Sequence, residues 1–205
     1  MIVWVASFSR SGNTFLRIVL HRLYGVRTST VYDVKTHRRR DADVDEDDRA
    51  ICLVRDGRDA LVSWARQTSE EDPSTYEDEL RSMILRVSTV GTGSWGTNVL
   101  SWVRPSVPHR VVLRYEDLIR DPHAAVTPII ATVAPTLGPR PEAAIPSLDE
   151  LRGHDDLFFR RGRTDSHQDE LPNELHQLFW SRIDNQAAMA LLGYPKPHDN
   201  QALQP

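Results

Sequence analysis

Short apolar runs and amphipathic stretches alternate along most of this chain. The first run, Ile2–Ala6, contains β-branched residues and does not alternate with polar ones, which is typical of a strand buried on both faces. A polar segment, Ser7–Gly12, follows it. Apolar residues then recur at helical spacing from Phe15 to Leu23. The pattern therefore predicts a strand, a tight loop and a helix that ends at Gly25.

Three later segments carry strand signals. Ala50–Val54 and Arg110–Arg114 are runs of strand length with apolar centres, and Thr30–Val34 is a weaker one. Further helices are predicted after the Ala50 strand through Trp64, and at Tyr76–Val90, Trp95–Val103, 123–135, 147–153 and 172–192. Strands that alternate with helices predict a three-layer α/β fold with a mostly parallel central sheet, whose first strand, loop and helix form a P-loop-like unit.

The composition favours a single domain over residues 1–205. Of these residues 40% are apolar and 26% charged, which suits one sizeable core, and a flexible polar tail is expected at about 196–205. The net charge of -4 argues against a general nucleic-acid binder, so local arginines and backbone N–H groups would have to hold any anionic ligand. Cys52 is the single cysteine, which favours a reducing compartment.

Two further stretches bear on location and exposure. The apolar run Met1–Ala6 is far too short for a membrane span and lacks the basic leader of a secretory signal, so a cytoplasmic protein without a membrane span is expected. Arg38–Asp48 is densely charged and predicts an exposed loop.

The loop Ser7–Thr14 is the first candidate site. A loop between a strand and a helix points backbone N–H groups and the positive helix end at one spot, which suits a phosphate or sulfate. Its spacing overlays the Walker A pattern, but Ser7 stands for the first glycine and Asn13 for the lysine. The cation has moved to Arg10. The alternative is an ordinary strand-to-helix turn without a ligand.

A second candidate site follows the strand Ala50–Val54. Arg55 lies at the carboxyl end of that strand, where open α/β sheets bind ligands, and Ser63 lies about two helical turns further on. Arg58 and Asp59 are more consistent with bracing the turn. The alternative is a surface network of arginine and aspartate.

Both segments resemble motifs of the PAPS-dependent sulfotransferases, where PAPS is 3′-phosphoadenosine 5′-phosphosulfate. The sequence S-F-S-R-S-G-N-T-F from Ser7 is similar to the family's 5′-phosphosulfate loop, with Ser9 in place of the usual proline. The sequence R-D-G-R-D from Arg55, with Ser63 further on, is similar to the 3′-phosphate motif, with Gly57 where proline is common. The resemblance assigns the following residues to the nucleotide: Arg10, Ser11, Gly12, Asn13, Thr14, Phe15 (the adenine-stacking position), Arg55 and Ser63.

Four further segments resemble the family in the same order. Lys35-Thr36-His37 is similar to K-T-H, which lies beside the acceptor hydroxyl and the transferring group, although a lone histidine there could also be a surface residue. Gly93–Trp102 is similar to the G-S-W-x-x-H-V-x-x-W helix, with Asn98 in place of the histidine. Leu113–Leu118 is similar to the segment whose tyrosine, here Tyr115, approaches the adenine. Phe158–Gly162 is similar to F-x-R-K-G, which implies that Arg160, Arg161 and Gly162 close over the 3′-phosphate.

The resemblance implies a transferase that moves a sulfonate from PAPS to a hydroxyl acceptor, such as a small molecule or secondary metabolite, and releases PAP. The short stretch between Gly25 and Ile51 offers little to enclose an acceptor pocket, so a bulky or carrier-presented acceptor is the alternative. Arg10 is then assigned to the bridging and leaving-group oxygens, His37 to the base and Lys35 to the sulfonate oxygens. No metal is predicted, because the sequence has no set of histidines, cysteines or carboxylates with metal-ligand spacing.

Two other functions are compatible with the same motifs. A P-loop nucleotide kinase would need magnesium and a Walker lysine, and Asn13 counts against it. A family member that binds PAPS without catalysis is the second, because Arg10 replaces the common lysine and Asp165-Ser166-His167-Gln168 replaces the family's G-D-W-K.

Overall fold

The computed structural model describes residues 1–27, 30–40, 48–87, 91–104, 108–140, 143–146, 150–151 and 164–195. The strands are β1 (Ile2–Ser7), β2 (Tyr32–Thr36), β3 (Ala50–Val54) and β4 (Arg110–Arg114). The helices are α1 (Asn13–Tyr24), α2 (Gly57–Thr68), α3 (Tyr76–Leu85), α4 (Trp95–Val103), α5 (Tyr115–Arg120), α6 (Pro122–Val133), α7 (His167–Glu170), α8 (Asn173–Ser181) and α9 (Ile183–Leu191), with a 3-10 turn at Pro73–Thr75.

The described strands form one sheet in the order β2-β1-β3-β4, and every pair is parallel. The sequence prediction of a mostly parallel sheet is therefore confirmed. The second strand lies two residues later than predicted, at Tyr32–Thr36. Its apolar signal is weak because β2 is an edge strand, and its buried Asp33 is paired with Arg17 and Arg27 rather than with apolar neighbours.

Side chains alternate between the two faces of the sheet, so each face carries its own core. Val5 and Ile51 belong to a cluster that includes buried residues of α1, α5 and α6. On the opposite face, the small side chains of Ala6 and Cys52 pack against Trp102 of α4. Next to them lies a second large cluster, built from α2, α3, α4, α8 and α9. Helices thus cover both faces, which confirms the three-layer α/β arrangement.

The predicted helices differ from the observed ones at several places. The helix predicted at 172–192 breaks at Arg182, whose backbone is extended and whose guanidinium pairs with Asp184. The helix predicted at Tyr76–Val90 ends at Leu85, and residues 88–90 lie outside the described part of the chain. Helices α5 and α7 were not predicted, because six and four residues are too few to show a helical period.

Three predicted segments lie mainly outside the described residues. Of the helix predicted at 147–153, only residues 150–151 are described, and they are helical. The charged loop is described only at its two ends, and the predicted flexible tail at 196–205 is not described.

The contact between α4 and α9 depends on the absence of a side chain at Gly96. A Cβ atom there would lie 2.4 Å from the Asp184 carbonyl carbon, and the Gly96 N–H donates to Asn185 Oδ1 at 3.1 Å. A methyl group would force the two backbones apart, since neither can yield like a flexible side chain.

Gly96→Ala is expected to lower the free energy of unfolding by about 1–3 kcal/mol, although alanine is otherwise the better helix former. Denaturant unfolding measures the change. Gly138→Ala is the matched control, because an added Cβ there meets nothing within 4 Å. Equal effects of the two substitutions would contradict the close packing of α4 on α9.

Candidate functional site

Parallel pairing brings the carboxyl ends of all four strands to one edge of the sheet. The loop after β1 begins there, His37 follows β2, Arg55 follows β3 and Tyr115 follows β4. Residues from four separate parts of the sequence therefore meet at one place, which is the candidate site.

The loop after β1 has a conformation that few residues can adopt. Gly12 has φ 92° and Arg10 has φ 62°, both in the left-handed region. A Cβ atom on Gly12 would lie 2.5 Å from the Tyr115 ring, so the loop can pass under that ring only without a side chain. The side chain of Asn13 donates to the Val5 carbonyl at 2.9 Å and to Ser7 Oγ at 3.0 Å. Asn13, at the position of the Walker lysine, thus connects the start of α1 to the end of β1.

The loop presents the features of an anion site. Helix α1 has no acidic residue in its first turn, so the positive end of its dipole is not offset there. Ser11 is only 1% exposed, and its hydroxyl has no hydrogen-bond partner among the described residues. A buried hydroxyl without a partner costs about 1–3 kcal/mol, which an anionic oxygen that accepts from it would offset. Thr14 is half-buried at the start of the same helix.

Three predicted nucleotide residues contact one another beside the loop. Arg55 Nη1 donates to the Arg10 carbonyl at 3.0 Å, and Arg10 Nε donates to Ser63 Oγ at 3.3 Å. The loop after β1 and the helix after β3 are therefore joined through Arg10. The sequence separated these residues into two phosphate sites, and the fold brings them together.

Arg55 is a buried cation with specific neighbours. It is 7% exposed, its guanidinium carbon lies 4.5 Å from the centre of the Tyr115 ring, and its Nη2 lies 4.0 Å from Asp59. Burial raises the pKa of the Tyr115 phenol above its ordinary value, so the ring is uncharged at neutral pH. The Arg55 guanidinium thus places a positive charge at the carboxyl end of the sheet, between the Tyr115 ring and Asp59.

The ring of His37 is oriented by Ser7. Its Nδ1 lies 2.9 Å from the Ser7 carbonyl oxygen and 3.2 Å from Ser7 Oγ. A carbonyl can only accept a hydrogen bond, so Nδ1 carries the proton, and in the neutral ring Nε2 keeps its lone pair. Burial, and the positive charge of nearby Lys35, lower the pKa of His37 below 6.5, although the Ser7 carbonyl opposes this. The neutral ring that a base requires is thus favoured.

The remaining predicted residues lie in different surroundings. Lys35 is exposed on β2, opposite Val5. Phe15 is 5% exposed and packs in the core, so in this conformation it does not offer a face on which adenine could stack. Arg160, Arg161 and Gly162 lie outside the described residues.

The turn after β3 is braced as the sequence indicated. The Arg58 guanidinium donates two hydrogen bonds to the Asp56 carboxylate, at 3.0 and 2.6 Å. Asp59 accepts from the Asp165 and His167 backbone N–H groups and lies 2.8 Å from His167 Nδ1. Sequence reasoning assigned nothing to residues 165–168, and their contact with Asp59 is a structural role that no local pattern reveals.

Two side chains of the site were not recognised from the sequence. Asn98 of α4 donates to the His37 carbonyl at 2.9 Å. Glu116 accepts from the Asp56 N–H at 3.1 Å and from the Tyr194 hydroxyl at 3.0 Å, which ties the turn after β3 to the end of the described chain. In the sequence, the feature that could have pointed to Asn98 is that it replaces the histidine of the resembled motif.

Two features are absent from the described residues. No group of three or more histidines, cysteines or carboxylates is arranged there to hold a metal ion. No helix in these ranges has the length and apolar character that crossing a membrane requires.

Known proteins resemble this chain in sequence and in fold. Residues 33–131 match the family model described as the sulfotransferase domain. The structure of the mouse sulfotransferase SULT7A1 complexed with PAP superimposes with a TM-score of 0.69 at 16% identity, over 95% of this chain and 89% of that one. Retinol dehydratase in complex with androsterone and inactive cofactor PAP superimposes with a TM-score of 0.65 at 13% identity, over 96% and 82%. None of the curated protein sequences matches this chain. The structural likeness confirms the predicted α/β fold.

The burial of His37 predicts its titration. In isotope-labelled protein titrated from about pH 8 to about pH 5, the ring is expected to protonate with a pKa below 6.5, because burial disfavours the charged form. NMR of the ring nitrogens measures this, and loss of the signal in His37→Gln identifies it. At pH values above the titration, Nδ1 is expected to be the protonated nitrogen. A pKa above 6.5, or protonation at Nε2, would contradict the contact with the Ser7 carbonyl.

Proposed function

We propose that this chain is a sulfotransferase, which transfers a sulfonate from PAPS to the hydroxyl group of an acceptor. One observation carries the proposal. Ser7, in the loop after β1, contacts His37, which is suited to act as a base. Arg10, in the same loop, contacts the side chains of Arg55 and Ser63. A donor nucleotide held on that loop would lie between its own phosphate ligands and an activated acceptor.

The residues fit an adenosine nucleotide with two phosphate-like groups. The 5′-phosphosulfate is assigned to the start of α1, where the buried Ser11 hydroxyl lacks a partner among the described residues. The 3′-phosphate is assigned to Arg55 and Ser63, with Arg160 and Arg161 as further ligands that the sequence resemblance implies. Gly12, Asn13 and Thr14 would contribute backbone N–H groups of the loop and first helical turn.

PAPS supplies the sulfonate, and PAP departs with the electron pair of the broken bond. Arg10 would stabilise the charge that develops on the leaving group, since its guanidinium stays protonated and lies at the junction of the two phosphate sites. Tyr115 holds the Arg55 guanidinium against its ring and would limit access of water to the 3′-phosphate corner.

His37 would accept the proton of the acceptor hydroxyl at Nε2. The contact of Nδ1 with Ser7 leaves that nitrogen unprotonated in the neutral ring, and burial keeps the ring neutral at neutral pH. Lys35 is assigned to the sulfonate oxygens, which its exposed position at the end of β2 allows. The exposed lysine would also lower the pKa of His37 further.

For the acceptor we propose a small hydroxylated molecule, such as a secondary metabolite, in the cytoplasm. Two of the structures with the same fold contain small molecules, androsterone in one and retinol in the other. Those ligands belong to retinol dehydratase and serve here only as a precedent for the size of the acceptor.

Arg55→Ala is expected to weaken PAP binding by about tenfold to a hundredfold, because a charge-assisted hydrogen bond contributes roughly 1.5–3 kcal/mol. The affinity for AMP, which lacks the 3′-phosphate, is expected to change much less and to be far lower than that for PAP in the unaltered chain. Isothermal calorimetry with both nucleotides measures the two affinities.

The control for Arg55 is Arg81→Ala, which removes an exposed arginine paired with Glu174 on another helix. It is expected to leave PAP binding unchanged. Equal affinity of the unaltered chain for PAP and AMP would remove the 3′-phosphate assignment.

His37→Ala is expected to lower the turnover number by about a hundredfold to ten-thousandfold while PAPS binding persists. In the unaltered chain, the rate is expected to fall at acid pH with a midpoint below 6.5, because the protonated ring cannot accept a proton. Steady-state kinetics across pH with a confirmed acceptor measure both effects. His123→Ala, at an exposed position of α6, is the matched control and should retain the rate. Near-normal turnover by His37→Ala would show that another group or water takes the proton.

A further inference from the structure

The segment that carries His37 is fixed to α4 by side chains of that helix. Asn98 donates one N–H of its amide to the His37 carbonyl at 2.9 Å, and Trp102 Nε1 donates to the next carbonyl, that of Arg38, also at 2.9 Å. The Arg40 N–H donates to Ser101 Oγ at 3.0 Å. The Arg39 N–H donates to the Gly91 carbonyl at 2.8 Å, just before α4. The backbone after β2 is therefore held by α4 and by the residues that lead into it.

Asn98 is the member of this group that contacts His37 itself. It is 1% exposed, and its second amide N–H donates to the Thr92 carbonyl, also at 2.9 Å. Both donors of the side chain are thus used, and a buried amide with both donors engaged has a single orientation. Asn98 acts as a short rigid link from α4 to the His37 backbone.

Helix α4 is itself held firmly. Ser94 caps its first turn by accepting from the Thr97 N–H at 3.1 Å, and Gly96 lies in close contact with the backbone of α9. Trp95, three residues before Asn98 on the same helix, is 1% exposed and packs in the core. A side chain on this helix can therefore transmit a fixed position to what it binds.

His37 is consequently held at two ends. Asn98 fixes its backbone carbonyl, and Ser7 fixes Nδ1 of its ring. With both ends fixed, the direction in which Nε2 points is determined, and Nε2 is the atom that would accept the acceptor proton. A displacement of about 1 Å at such a group can cost about a hundredfold in rate.

We propose that Asn98 is a positioning residue for the reaction, which holds the His37 backbone so that the ring contacts Ser7 through Nδ1 and presents Nε2 to the acceptor. The proposal rests on the proposed function, because it gives Asn98 a catalytic effect only through His37. Asn98 itself touches neither the donor nor the acceptor in this assignment.

Asn98→Asp is the primary test. A carboxylate has nearly the same shape but cannot donate, and it would face two carbonyl oxygens. The turnover number is expected to fall by about tenfold to a hundredfold, with the KM for PAPS changed by less than about threefold. Asn98→Ala removes both donors without adding a charge, and it is expected to act in the same direction. A loss in Asn98→Asp alone would overturn the proposal, because the added charge would then be the cause.

Asn185→Asp is the matched control. Asn185 is also 1% exposed, and its amide likewise donates to a backbone carbonyl, that of Phe179 at 3.1 Å. Its Oδ1 accepts from the Gly96 N–H of α4, and aspartate keeps that acceptor, so the substitution removes only the donated hydrogen bond. Asn185 does not contact His37. The substitution tests the general effect of a new buried carboxylate on the same part of the fold. It is expected to lower thermal stability while turnover at a permissive temperature stays within about threefold of the unaltered chain. An equal loss of turnover in Asn185→Asp would overturn the specific role of Asn98.

The double variant Asn98→Asp with His37→Ala distinguishes an effect that acts through His37 from general damage to the structure. If Asn98 acts through His37, the double variant should turn over as slowly as His37→Ala alone, since effects of residues that act as a unit are not additive. A further tenfold loss in the double variant would overturn the proposal. Near-normal turnover by His37→Ala would instead overturn the base assignment, and the catalytic meaning of Asn98 with it.

A measurement without turnover tests the positioning directly. In Asn98→Asp, the ring nitrogen signals of His37 are expected to move toward a mixture of the two neutral forms, because the contact between Nδ1 and the Ser7 carbonyl is weakened. Asn185→Asp should leave them unchanged. Binding of PAP, measured by calorimetry, shows that each variant is folded. Ring signals identical to those of the unaltered chain would overturn the positioning role even if the proposed function holds.

Discussion

Strand β1 is paired on both sides with parallel neighbours, β2 and β3. This pairing sets how far along the strand direction each site residue lies. The register sets Ala6 opposite Thr36 on one side and opposite Cys52 on the other. Ser7 therefore reaches the edge of the sheet together with the end of β2, and the His37 ring can meet it without a long loop. A shift by one residue would turn every side chain to the other face and separate the histidine from the loop.

The buried charges at the start of α2 form a second constraint. Arg58 and Asp56 pair within the turn, while Asp59 is shared by Arg55 and the backbone of residues 165–167. Separating a buried charge from its partner strongly destabilises the folded state. These pairs therefore hold the turn in one arrangement. His167 assists by its contact with Asp59, and the hydrogen bond from His167 and the charge of Arg55 keep the pKa of that carboxyl below its usual value despite burial. The segment after residue 163 is thereby anchored beside Arg55.

The departures from the resembled motifs have physical consequences in the fold. Asn13, at the position of the Walker lysine, donates to the Val5 carbonyl and to Ser7 Oγ, and the cationic residue of the loop is Arg10. Asn98 replaces a histidine and holds the backbone of His37. In both cases the asparagine amide donates to a backbone carbonyl, that of Val5 for Asn13 and that of His37 for Asn98.

The sequence by itself determined the strands, the loop after β1, the parallel sheet and the arginines at its carboxyl edge. These follow from local patterns: apolar runs of strand length, glycines at turns and polar residues directly after strands. Tertiary structure alone decided that Asn98 meets His37 across 61 positions and that Asp59 meets His167 across 108. It also decided that Phe15 packs in the core, and that the helix predicted at 172–192 breaks at Arg182. The physical reason is that a local pattern specifies which face of an element is apolar, whereas the partner of a buried polar group is chosen by the packing of elements distant in sequence.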